Sequence, residues 1–202
     1  MLQGVSLKVP CGQSLAIMGP SGSGKTTLLH ILELLDSPDL GTVRILGMEV
    51  NSLTDHEVSQ LRGRVIGFVF QSYNLLPELT AWENVALPLR YQGVPLKERR
   101  GRALEVLDRL GLASRAHHRP AELSGGEEQR IAIARALVTV ARLILADEPT
   151  GNLDTRTSAI VIEQLYGVTD LGAALVIATH DQAVASHADC IQYLRSGRLW
   201  EA

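Results

Sequence analysis

Short apolar runs separated by longer amphipathic stretches set the pattern of this chain. SLAIM (Ser14 to Met18), IGFVF (Ile66 to Phe70), LILA (Leu143 to Ala146) and ALVIAT (Ala174 to Thr179) are almost continuously apolar. Runs of that length and character predict strands buried on both faces. IQYL (Ile191 to Leu194) reads as the last strand. VSLKV (Val5 to Val9) and TVRIL (Thr42 to Leu46) alternate apolar and polar residues, which fits a half-exposed antiparallel sheet. Helical patterns lie between. KTTLLHILELL begins at Lys25, and a block from about Thr80 to Leu112 is rich in helix formers, with Leu104, Leu107 and Leu110 at helical spacing. This block interrupts the strand–helix alternation for about 70 residues and reads as a helical subdomain inserted in an α/β core. The prediction is a mostly parallel sheet with helices on both faces.

Composition narrows the picture only a little. The 202 residues suit one domain, and 46% hydrophobic content supplies a core. Aromatics at 4% and a net charge of −3 argue against a nucleic-acid surface, which needs stacking rings and a basic field. The longest apolar stretch, Ala136 to Ala146, carries Arg142 and falls short of the roughly 18 residues of a membrane helix. The first ten residues lack the basic-then-apolar layout of a signal peptide, so the chain is expected in the cytosol or at a membrane through a partner. Cys11 and Cys190 are too few for a zinc motif and are expected to be small buried hydrophobes.

The chemistry is concentrated in a few motifs. Gly19-Pro20-Ser21-Gly22-Ser23-Gly24-Lys25-Thr26 fits a phosphate-binding loop, follows an apolar strand and opens a helix. Small residues let the backbone N–H groups from Ser21 to Thr26 curl around phosphate oxygens, and the helix start adds partial positive charge. Lys25 would reach the outer phosphates; Thr26 would ligate Mg²⁺, with Thr27 one position on. LILA runs into Asp147-Glu148, placing one carboxylate for the metal and the next for an attacking water as general base. Gln71 and His180 follow apolar runs in the same way. Four polar residues thus sit at strand C-termini, the edge where open α/β sheets bind ligands.

A second anion-binding candidate is LSGGEEQR, Leu123 to Arg130. Ser124 and Glu127 have the spacing of a capping box, and Gly125 and Gly126 at a helix start would let an anion approach the backbone. The two readings are compatible: the cap would hold the helix start while a phosphate replaced water at its mouth.

Taken in order, GPSGSGKT, FVFQ, LSGGEEQR, LILADEPTGNLD and ATHD resemble the ATP-binding subunit of an ABC transporter, over nearly the whole chain. FVFQSYNLLPELTAWENVALPL, HRPAELSGG and DEPTGNLD resemble the branch of lipoprotein-release and macrolide-efflux ATPases. The resemblance implies a P-loop NTPase (RecA-like) fold, with a catalytic core over 1–71 and 138–202 and a helical subdomain over 72–137. It implies ATP and Mg²⁺, the metal held by Thr26, Gln71 and Asp147. Glu148 would be the catalytic base and His180 would contact the γ-phosphate. A head-to-tail homodimer, or a paired ATPase, would bring Ser124, Gly125, Gly126 and Glu127 onto the partner copy's ATP, with Asp154 crossing between copies. An integral membrane permease would dock on the helical block, where Gln71 would relay nucleotide state and Tyr73, Leu75, Leu76 and Pro77 would form an apolar wall. The location implied is the cytoplasmic face of the membrane, and the role export or extraction. The alternative is a regulatory ATP switch, as in cell-division relatives.

Two departures stand out. Glu128 replaces a residue that is often neutral or basic in the family. The family also has an adenine-stacking aromatic roughly 25 residues before the loop, whereas 18 residues precede Gly19 and none is Tyr, Phe or Trp. Weaker adenine recognition and an exposed sheet edge are expected.

Overall fold

A computed structural model describes residues 2–151 and 153–201. In chain order the first half contains β1 (Ser14–Met18), α1 (Lys25–Leu32), β2 (Arg44–Ile45), β3 (Met48–Glu49), α2 (Asp55–Val65), β4 (Ile66–Val69), α3 (Ala81–Tyr91) and α4 (Leu96–Arg109). The second half contains α5 (Gly125–Leu137), β5 (Leu143–Asp147), α6 (Thr155–Tyr166), β6 (Ala174–Thr179), α7 (Gln182–Ala185), β7 (Cys190–Arg195) and β8 (Arg198–Glu201). Six strands form one sheet in the order β4-β5-β6-β1-β7-β8, parallel except for β8.

The sheet divides its side chains by the period of two that a pleated strand imposes. Leu15, Ile17, Leu145, Val176 and Ala178 face α1, where Leu28 and Leu29 cover them. Ile144, Ala146, Leu175 and Ile177 face the other way, into a larger cluster with Ile131 and Ile133 of α5, Val161 and Leu165 of α6, and residues of α3 and α4. Both faces are apolar, which explains why these strands read as continuous runs rather than alternating ones. The helical block shares the core of one sheet face. Leu107 and Leu110 are fully buried and Leu104 packs against them, as the helical spacing predicted.

Several expectations need correction. VSLKV forms no strand: Val5, Leu7 and Val9 pack against the α1-side core while Ser6 and Lys8 are exposed, so the alternation is real but the segment has no ladder. TVRIL contributes only Arg44–Ile45, because Leu46 and Gly47 (φ 51° and 81°) already turn the chain back into β3. IQYL is not the last strand. Ser196 and Gly197 (φ 49° and 76°) make another two-residue turn, and β8 returns antiparallel on β7. Helix α2 had no prediction because it is polar almost throughout and buries only Leu61. Cys11 and Cys190 are both exposed and free, since each lies at the entrance to a strand rather than in its buried middle.

Gly67 sets how closely α5 approaches the sheet. A Cβ there would lie 2.6 Å from Ile144 Cδ1 and 2.7 Å from the Ala136 carbonyl oxygen. Gly67→Ala should cost about 1–3 kcal/mol by overpacking. Urea denaturation would read this as a lower midpoint; an unchanged midpoint would mean that α5 is free to move off β4.

Candidate nucleotide site

Strand register brings the polar strand ends together. Met18 pairs with Thr179, Ala178 with Asp147, and Ala146 with Val69. The glycine loop after β1, Asp147-Glu148, Thr179-His180 and the Phe70-Gln71 exit of β4 therefore leave the sheet at nearly one level. In the loop, Gly22 and Gly24 (φ 77° and 105°) adopt left-handed backbone that other residues reach only with strain. Gly19 is required by contact instead: a Cβ there would lie 2.4 Å from the Leu194 carbonyl oxygen.

The loop's side chains converge on a short path. Lys25 is buried, and its Nζ donates to the carbonyl oxygens of Gly19 (2.8 Å) and Pro20 (3.2 Å), which lays the ammonium across the loop. Ser23 Oγ is buried and, among the described residues, has no hydrogen-bond partner. Pro20, Ser21, Thr26 and Thr27 are exposed. Thr26 Oγ1 donates to Asp147 Oδ2 at 2.9 Å, joining α1 to β5. Burial raises the Asp147 pKa; the Thr26 hydrogen bond pulls it back, and the Glu148 charge adds a smaller upward push.

Glu148 points elsewhere. Its backbone is left-handed (φ 46°), rare for a residue with a side chain. Its N–H donates to the Ala178 carbonyl, while its carboxylate accepts from Thr179 Oγ1 at 3.1 Å and the His180 N–H at 3.4 Å. His180 Nδ1 lies 2.9 Å from the other carboxylate oxygen. The Glu148 side chain is 14% exposed and that of His180 73%. The structure thus joins Thr26 to Asp147 and Glu148 to His180, as two adjacent pairs.

Ser124-Gly125-Gly126 lies apart from these pairs. Ser124 is the N-cap of α5, and the capping box is fully formed: Glu127 N–H donates to Ser124 Oγ at 3.3 Å, and Ser124 N–H and Oγ donate to Glu127 Oε2 at 2.8 and 3.0 Å. Arg115 Nε donates to Glu127 Oε1 at 2.8 Å. The Ser124 backbone hydrogen bond and Arg115 hold the Glu127 pKa down at about 2. Helix α5 packs on β4 and α3, and three strand spacings separate β4 from β1, about 14 Å. Among the described residues, no hydrogen bond ties Ser124, Gly125 or Gly126 to the glycine loop.

The segment after β4 is pinned from inside. Gln71 is exposed. Tyr73 and Asn74 are left-handed (φ 60° and 50°), and Arg135 of α5 holds that turn by donating to both carbonyls, at 2.6 and 2.5 Å. The Tyr73 hydroxyl lies 3.6 Å from where a Gly125 Cβ would be, so this segment borders the start of α5. Asn84, fully buried, accepts from Leu76 N–H and donates to the carbonyls of Leu76, Leu79 and Thr80. Leu76 and Pro77 face solvent, whereas Leu75 packs into the core. Asp154 caps α6 through Thr157 and is exposed; Asn152, in the same GNLD run, lies outside the described residues. Arg115, Asn84 and Arg135 carry no sequence signal. Their partners are backbone groups or distant side chains, and arginine on an amphipathic helix reads as solvated surface.

Comparison with known proteins places this geometry in context. A family model described as ABC transporter matches residues 2–151. An uncharacterized ABC transporter ATP-binding protein of Thermotoga maritima is 54% identical, covering 98% of this chain and 85% of that protein. The macrolide export ATP-binding/permease protein MacB of Burkholderia lata is 49% identical over 98% of this chain, which spans only 29% of MacB. The dimeric, post-hydrolysis structure of the ATP-binding cassette MJ0796 bound to ADP and Pi superposes with a TM-score of 0.94 at 43% identity, covering 99% of this chain and 90% of that one.

The capping box makes a pH prediction. Glu127 has its pKa lowered from 4.5 to about 2. Its contribution to stability is therefore complete above about pH 4.5 and is lost as the pH falls towards 2. Glu127→Gln should flatten that part of a stability-versus-pH profile measured by denaturant titration. A profile with the same slope would show that the carboxylate is not held in solution.

Proposed function

The chain belongs to the ABC transporter family of ATP-binding domains, and from that membership we propose that two copies pair head to tail, hydrolyse ATP at two shared sites and drive a membrane partner. The observation that carries this reading is the separation of the glycine loop from Ser124-Gly125-Gly126 within one chain. A two-fold pair would place the α5 start of one copy over the loop of the other, closing each site with an anion-binding helix end.

The loop N–H groups and Lys25 would hold the ATP phosphates. Thr26 Oγ1 and Asp147 Oδ2, a hydroxyl and a carboxylate oxygen brought together by a 2.9 Å hydrogen bond, are hard oxygen donors of the kind Mg²⁺ takes and would hold part of its shell. Gln71 would complete the protein's share of that shell. Bound Mg²⁺ supplies charge neutralisation at the phosphate oxygens. Glu148 would accept a proton from the attacking water as its oxygen bonds to the γ-phosphorus and the bond to ADP breaks. Thr179 and His180 hold the Glu148 carboxylate by hydrogen bonds, which would keep it aimed at that water, and His180 would also reach the γ-phosphate. Asp154 would contact the partner copy.

The division into a catalytic lobe (1–71 and 138–202) and a helical lobe (72–137) belongs to the same reading. Tyr73, Leu75, Leu76 and Pro77 would border the groove for an integral membrane permease, with Leu76 and Pro77 outermost. The likeness to a macrolide exporter supports export or extraction of a substrate at the cytoplasmic face.

Glu148→Gln should lower hydrolysis by at least about 100-fold, the contribution of a general base, and accumulate an ATP-dependent dimer on size-exclusion chromatography. Hydrolysis at the unmodified rate would remove Glu148 from the role of base. Ser124→Arg should abolish hydrolysis while a dilute single chain still binds nucleotide. Loss of that binding would place Ser124 in its own chain's site and end the shared-site reading.

A further inference from the structure

The start of α5 is an odd place to receive a phosphate. Glu127 and Glu128 both lie in its first turn. A helix N-terminus offers roughly half a positive charge, which two carboxylates outweigh. Glu127 is the closer problem, because its Oε2 sits 3.0 Å from the Ser124 hydroxyl and accepts that hydroxyl's hydrogen bond.

Arg115 answers this from another element. It ends a 3₁₀ turn (Ala113–Arg115) after α4, set between the buried residues Leu112 and Ala116 and closed by Arg115 N–H donating to the Leu112 carbonyl. The guanidinium therefore arrives from a fixed support and pairs with Glu127 Oε1 at 2.8 Å. Among the described residues, Glu128 has no ion-pair partner, and the ion pair that this turn does make is Arg115 with Glu127.

We propose that Arg115 is a positioning residue of the shared ATP site: by pairing with Glu127 it cancels that carboxylate's charge, anchors it on the Ser124 backbone, and leaves the mouth of α5 able to accept the phosphate bound by the partner copy. The inference rests on the shared-site reading above. It has a second consequence for Ser124. A carboxylate whose other oxygen, Oε1, is paired with a guanidinium draws the serine proton less firmly onto Oε2, so the hydroxyl turns more readily towards an incoming phosphate.

The test uses Glu148→Gln chains, with ATP-dependent dimer formation followed by light scattering across an ATP titration. Nucleotide affinity of the dilute, unpaired chain and its thermal midpoint are measured alongside to report that the loop half and the fold are intact. Adding Arg115→Met should raise the ATP concentration for half-dimerisation on the order of tenfold, as small charge effects at two sites add. Adding Glu127→Gln to that chain should return it towards the parent value, since the unbalanced charge is gone, and Arg115→Lys should keep most of the parent behaviour. Should Arg115→Met fold poorly, Arg115→Gln removes the charge while keeping a polar side chain and reads the same difference. Dimerisation unaffected by loss of the Arg115 charge would overturn the proposal, as would a loss that Glu127→Gln fails to rescue. A parent Glu148→Gln chain that never dimerises would instead strike the shared-site reading beneath it, and this inference with it.

Discussion

The register of four parallel strands is the constraint on which the site depends. A parallel ladder fixes every pair at once, so aligning Met18 with Thr179 and Asp147 with Ala178 also fixes where the glycine loop, the two carboxylates and His180 leave the sheet. A slip of one residue would turn Leu15 and Ile17 away from α1 and carry the loop out of reach of Asp147. The Thr26–Asp147 hydrogen bond spans 121 residues of sequence and exists only because this alignment holds. Packing and chemistry are thus specified by the same side chains: the apolar alternation that fills both faces also sets the level at which the polar ends emerge.

Much of this was legible because the strands are buried on both faces. SLAIM and ALVIAT coincide with β1 and β6 residue for residue, and LILA extends only by Asp147. The signal failed where burial is partial. Helix α2 offers one buried residue and no apolar stripe. VSLKV has the pattern of a strand without a ladder, since alternation reports which side faces the core and says nothing of a neighbour. The hairpin into β8 did carry a local mark, Ser196-Gly197, but a strand of Arg, Leu, Trp and Glu against solvent is too short and polar to stand out.

The site residues divide in the same way. Those proposed to meet a phosphate lie in compact motifs, because glycine turns and helix starts are local structures. Those that hold the motifs in place do not. Arg135 reaches back about sixty residues to two backbone carbonyls, and Arg115 crosses from the end of one helical segment to the first turn of another. Their contribution is electrostatic and geometric, and it depends on tertiary approach that no periodicity encodes. The turn at Tyr73-Asn74, strained at two consecutive residues and held by the half-buried Arg135, ties the segment after Gln71 to the same helix whose start carries Ser124. Two hydrogen bonds therefore join the exit of β4 to the helix that begins at Ser124.

The central claim is that ATP held by one chain is covered by α5 of another. The most direct measurement mixes isotopically heavy Lys25→Ala chains, deprived of their own phosphate lysine, with light chains of natural sequence, and adds an ATP analogue bearing a photoreactive group on its γ-phosphate. After illumination, mass spectrometry asks which chain carries label on the peptide containing Ser124 to Arg130. The account predicts labelling of that peptide in the heavy chain only when the light chain is present. Labelling confined to the light chain's own peptide would contradict it.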